Sequence, residues 1–118
     1  MVVKCRDIYF FGFFIKIRTT MIIRFVKMTF QEEYVEGFLE AVNQRKERIR
    51  NFKGCTYLQI LQDVNHPNII FSHSYWDSEA DLNNYRHSDF FGEIWKETKP
   101  KFSEKAEAWT VQNVYELP

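Results

Sequence analysis

With 118 residues the chain has room for one core, since compact domains run about 100 to 150 residues. Its 45% hydrophobic, 18% aromatic and 27% charged residues exclude a disordered chain, because there is ample apolar surface to bury. Sixteen basic residues balance sixteen acidic ones, so no net field would gather nucleic acid or an anionic membrane around the protein.

The first twenty residues differ from the rest: Lys4, Arg6, Lys16 and Arg18 against Asp7 leave them at +3, and hence −3 for residues 21–118. Their run IYFFGFFI (8–15) is followed at once by Lys16 and Arg18 and by no small-x-small cleavage site. It is far too short to span a bilayer. Residues 1–20 therefore read as an N-terminal extension, either an extra strand or a start assigned upstream of Met21. Cys5 and Cys55 stand far apart in no CxxC context, which suits a reducing, cytoplasmic compartment.

From Met21 the pattern becomes regular. Ile22, Ile23, Phe25, Val26 and Met28, with Arg24 and Lys27 between them, predict a first strand. Thr29-Phe-Gln-Glu32 has capping-box form, so a helix is expected to start there. Val35, Phe38, Leu39, Val42 and Ile49 fall on one stripe of a helix running to about Arg50. Glutamates in its first half and Arg45, Lys46, Arg48 and Arg50 in its last match the helix dipole, which explains the basic cluster without a phosphate site.

Asn51 to Gly54 breaks the helix; Cys55–Asp63 and Ile69–Trp76 read as second and third strands joined by the turn material Asn65-His-Pro-Asn68. Ser78 and Ser88 each begin a helix, with Leu82, Tyr85, Phe90, Phe91, Ile94 and Trp95 as the buried side. Pro100 ends the second helical region, and Ala108–Tyr115 alternates as a fourth strand with Trp109, Val111 and Tyr115 on one face. The order β-α-β-β-α-β predicts an α+β, ferredoxin-like fold: a four-stranded antiparallel sheet with helices on one face.

If the hairpin pairs Asp63 with Ile69, then Ile70, Ser72, Ser74 and Trp76 share a face with Gln62, Ile60, Leu58 and Thr56. The opposite face then carries Leu61 with Phe71, Gln59 with His73 and Tyr57 with Tyr75. Helices can cover only one of these faces. An apolar patch of several hundred Å² is uncommon on a soluble monomer, so Tyr57, Gln59, Phe71, His73 and Tyr75 are expected at a homodimer interface.

The stretches YWDSEADLNNYRHSDFFGEIW (75–95), FKGCTYLQILQDVNHPN (52–68) and AEAWTV (106–111) resemble the antibiotic biosynthesis monooxygenase-like family of dimeric α+β barrels. The resemblance covers essentially all of residues 21–115. It implies a cleft between sheet and helices, lined by the tryptophan after the third strand, here Trp76. Family members of known activity include cofactor-independent monooxygenases acting on polycyclic aromatic or quinol substrates, haem-degrading enzymes and an isomerase of a small signalling molecule. The haem-degrading branch has a ligating histidine nineteen positions after that tryptophan and an asparagine in the first strand. Here the first position is Trp95 and the first strand has no Asn, which argues against haem.

Oxygenation without a cofactor needs a substrate able to form a carbanion or semiquinone, a base or hydrogen-bond donor to hold it, and a dry pocket. The candidates are Tyr85 and His87 for the chemistry, with Ser72, Ser74, Trp76 and Trp95 binding substrate; the small Ser72 and Ser74 would leave a void beneath the helices. Tyr85, Trp76 and Trp95 read equally well as core aromatics. His66, His73 and His87 have no metal-ligand spacing, and no nucleophilic triad, P-loop or dinucleotide fingerprint occurs. The expectation is a cytoplasmic, homodimeric monooxygenase without cofactor or metal, acting on a small aromatic or hydrophobic molecule. The alternative is a non-catalytic module that binds one, in neither case with a nucleic-acid or membrane partner.

Overall fold

The computed structural model describes residues 7–10, 13–16 and 21–118. Strands β1 (Asp7–Phe10) and β2 (Phe13–Lys16) pair antiparallel with Asp7 opposite Lys16, in a two-stranded sheet of their own. The rest of the N-terminal extension expected over residues 1–20 lies outside the described residues.

The larger sheet is built from β3 (Ile22–Thr29), β4 (Cys55–Gln62), β5 (Ile69–Trp76) and β6 (Glu107–Val111) in the order β4-β5-β3-β6, all neighbours antiparallel. Helices α1 (Val35–Arg50), α2 (Glu79–Arg86) and α3 (Asp89–Thr98) complete the β-α-β-β-α-β order expected of a ferredoxin-like fold. They cover one face only: Phe38 of α1 packs with Met28, Phe30 and Ile70, and Leu82 of α2 packs with Cys55 and Trp76.

The expected hairpin register holds from Tyr57–Tyr75 to Gln62–Ile70, and the Asp63 N–H donates to the Ile69 carbonyl at 3.0 Å. One partner differs. The ladder shifts between Cys55 and Tyr57, so Cys55 rather than Thr56 faces Trp76 and is buried at the α2 contact. This bulge adds one residue to β4 and sends Thr56 to solvent. Just before it, Gly54 has φ +90°, and a Cβ there would collide with the Asp81 side chain. Only glycine fits that turn against α2.

Two further expectations are corrected. Thr29 does not cap a helix: it is the last residue of β3, opposite Ile69, and its carbonyl accepts from Ser103 N–H at 2.8 Å. The chain instead enters α1 through a 3₁₀ turn, Glu32–Tyr34, with no side-chain cap. The later starts behave as expected, with Ser78 Oγ accepting from Asp81 N–H and Ser88 Oγ from Phe91 N–H, both at 3.1 Å. The last strand stops at Val111 rather than Tyr115, because its partner β3 begins at Ile22 and the ladder runs out at Ile23–Val111. Tyr115 is left 83% exposed.

Candidate functional site

The four strands of the large sheet and the three helices enclose a cavity of about 360 Å³ that opens to solvent. Its floor is the helix-covered face of the sheet: Arg24, Val26 and Met28 of β3, Leu58 and Ile60 of β4, Ser72, Ser74 and Trp76 of β5 and Ala108 of β6. Its roof comes from Phe38, Val42 and Ile49 of α1, Leu82, Tyr85 and Arg86 of α2, and Phe91, Ile94, Trp95 and Thr98 of α3. Strand alternation brings the floor residues to one face. The void follows from their size, since Ser72, Ser74 and Ala108 do not reach the helices as Ile70 does.

Two polar groups of the floor hold each other. The Trp76 indole N–H donates to Ser74 Oγ at 2.9 Å, both residues being buried. Tyr85 stacks on Trp76 with ring centroids 4.9 Å apart, and Phe52 and Phe91 meet the Tyr85 ring edge-on at 5.1 Å each. Burial, with a smaller contribution from Cys55, pushes the Tyr85 phenol well above its ordinary value. At neutral pH it is a neutral O–H donor, not a base. Trp95 lies parallel to Phe91 at 5.9 Å and edge-on to Phe102 at 5.5 Å.

Of the residues singled out in the sequence, Ser72, Ser74, Trp76, Tyr85 and Trp95 meet at this cavity and His87 does not. His87 caps α2: its Nδ1–H donates to the Asn83 carbonyl at 2.7 Å, and the residue is exposed. Among the described residues the cavity lining contains no histidine, aspartate or glutamate, so none of them offers an imidazole to a haem iron or to a proton in transit. Among the described residues, no group of three or more His, Cys, Asp or Glu could hold a metal ion.

Sequence reasoning missed Arg24 and Arg86, which among the described residues carry the only formal charges in the lining. Doublets at Ile22-Ile23 and Phe25-Val26 make both faces of β3 apolar and hide which way Arg24 turns. Pairing with Ser74 and Thr110 puts it on the cavity side.

The face away from the helices carries a continuous aromatic ladder. Tyr57 and Tyr75 stack at 4.6 Å, His73 lies 5.2 Å from Tyr75 and 4.9 Å from Phe25, and Phe25 meets Phe71 at 5.8 Å. His73 Nδ1–H donates to Gln59 Oε1 across the strands at 3.1 Å. Burial lowers the His73 pKa, which favours the neutral ring. Trp109 and Val111 extend this face and are 46% and 45% exposed.

Similar backbones occur in solved structures. A conserved protein from Methanosarcina mazei Go1 superposes with a TM-score of 0.74 at 23% identity, covering 80% of this chain and 95% of its own. A candidate antibiotic biosynthesis monooxygenase from Nitrosomonas europaea superposes at 0.76 with 15% identity, over 86% and 97% of the two chains. One from Bordetella bronchiseptica does so at 0.72 with 20% identity, over 81% and 99%. At these identities the likeness is one of fold. Among curated proteins none matches the sequence. The family model for antibiotic biosynthesis monooxygenase matches residues 21–97, from the first strand of the large sheet nearly to the end of α3, and the chain belongs to that family.

Proposed function

We propose that residues 21–118 form a homodimeric, cofactor-independent monooxygenase for a small aromatic or quinol-like molecule held between sheet and helices, with residues 1–20 as an N-terminal extension. The observation that carries this reading is the cavity, with Trp76 and Trp95 as flat walls and Tyr85 as a neutral donor. An anthrone or hydroquinone supplies its own electrons. Once deprotonated it reduces O₂, and the two radicals join as a peroxide. In an anthrone, loss of water then leaves a new carbonyl: one oxygen atom stays in the product and the other leaves with two substrate hydrogens. Tyr85 O–H would hold the substrate oxygen and the apolar lining would keep water from the radical pair.

The lack of a carboxylate or imidazole in the lining favours a second reading, a module that binds such a molecule without turning it over. Oxygen uptake with a panel of anthrones and hydroquinones separates the two. The oxygenase reading requires uptake above the uncatalysed rate for at least one compound; tight binding without uptake anywhere in the panel contradicts it.

The homodimer is proposed from the open face, where Tyr57, Gln59, Phe71, His73 and Tyr75 would meet their counterparts about a two-fold axis. Light scattering at micromolar concentration should give twice the chain mass. Phe71→Glu should reduce it to the chain mass, because the interface would bury an unpaired charge; a wild-type monomer would contradict the arrangement. A reducing, cytoplasmic setting belongs to this reading, in keeping with Cys55 as a buried free thiol. Among the described residues no helix is long and apolar enough to cross a membrane.

A further inference from the structure

Arg24 and Arg86 are out of keeping with the rest of the cavity. Arg24 points from the middle of a sheet face otherwise formed by Val26, Met28, Ile60 and the two serines, a position where an aliphatic side chain would ordinarily pack. Its Nη1 donates to Thr110 Oγ1 on β6 at 2.8 Å, which fixes the guanidinium while using one of its five N–H donors. Arg86, in the last turn of α2, reaches the same cavity from the roof.

Among the described residues no carboxylate answers either charge. Among the described residues the ion pairs join Lys27 to Glu107 and Arg45 to Glu97, with His66 near Asp63; none involves Arg24 or Arg86. Desolvation is the larger cause, and the neighbouring Arg86 charge the smaller, of an Arg24 pKa held below its ordinary value. Two like charges around a half-dry void repel each other and lack a counter-charge, and an anion placed between them relieves both. Because guanidinium is planar and forked, it matches a carboxylate with two parallel hydrogen bonds.

We infer that Arg24 and Arg86 form an oxyanion subsite, so that the molecule taken by this cavity is a small aromatic carboxylate, its ring against the apolar lining and its carboxylate between the guanidiniums. This rests on the reading of the cavity as the substrate site and specifies the substrate class. Arg24 and Arg86 are binding residues here; neither is assigned a part in the oxidation.

Calorimetric titration of the full chain with 2-naphthoate and with 2-acetonaphthone, its neutral isostere, tests the subsite without requiring turnover. Naphthoate should bind about tenfold or more tightly, the advantage of charge-assisted hydrogen bonds over neutral ones, and should lose that advantage as salt is raised. Arg24→Gln should bring the two ligands to within about twofold, with naphthoate losing more affinity than acetonaphthone. Arg86→Gln, at an exposed helix end where folding is not at stake, should reduce the preference in the same direction. Equal affinities in the wild type, or a preference that survives both substitutions, would overturn the subsite, as would no naphthoate binding up to millimolar concentration. Each outcome is independent of oxygen uptake, so failure of the subsite and failure of the oxygenase reading are told apart.

Discussion

Two ends of one sheet face, only a few residues apart along β5, are filled in opposite ways. Around Ile70 the helix-covered face is closed: Phe30 and Ile70 have no exposed surface, and the Phe30 ring lies 4.3 Å from Phe38 and 5.1 Å from Phe102. Two and four residues on, Ser72 and Ser74 replace such bulk and the cavity begins. Sealed and empty, a void of about 360 Å³ would cost roughly 9 kcal/mol at ~24 cal/mol per Å³. That rivals the whole stability of a typical domain, about 5–15 kcal/mol. The void is tolerable because it opens to solvent. One end of the face holds the fold together, and the other leaves a space open.

That division can be broken from either end. Phe30→Ala strikes the closed end and should cost about 3–5 kcal/mol, lowering the chemical-denaturation midpoint by a large fraction. A loss under about 1 kcal/mol would mean that the closed end does not carry the fold. At the open end, Ser74→Ala leaves the buried Trp76 indole N–H without its acceptor and should cost about 1–3 kcal/mol, less if water from the cavity replaces the hydroxyl. A fluorescence-monitored urea titration gives the value.

A smaller effect is expected on the face away from the helices. His73 has a lowered pKa in the folded state because burial penalises its charged form. The unfolded chain, with an ordinary value near about 6.5, therefore binds a proton first. Stability is unaffected well above that value and falls as pH drops from it toward the folded pKa. Melting temperatures taken from pH 7.5 to 5.0 should decline over this window, and the decline should be shallower in His73→Gln. An equal decline in both proteins would remove His73 from the account.

The sequence disclosed the fold more readily than the site, for physical reasons. Serine caps, the α1 stripe and the hairpin register are local or pairwise patterns, so they survive being read one chain segment at a time. Thr29 misled because a hydroxyl followed three residues later by glutamate suits a cap, yet strand pairing with Ile69 and the bond from Ser103 N–H took the residue first. The extra residue at Cys55–Thr56 is a defect of pairing, visible only once Gly54 is seen to turn tightly against Asp81. The cavity was foreshadowed by Ser72 and Ser74 on the Trp76 face. His87 lies near Tyr85 in sequence but follows the turn of α2 out to solvent, and Arg24 and Arg86 become neighbours only when β3 and α2 are brought together.

On the proposed function, the space above Ser72 is a binding site and not a packing fault. Ser72→Leu fills it from the floor with a residue that suits a strand and reaches apolar neighbours. Oxygen uptake with the best anthrone or hydroquinone of the panel, measured beside the melting temperature, decides the matter. The variant should melt at the wild-type temperature or roughly 2–5 °C above it while uptake falls at least about tenfold. Undiminished uptake in a stably folded Ser72→Leu protein would contradict it.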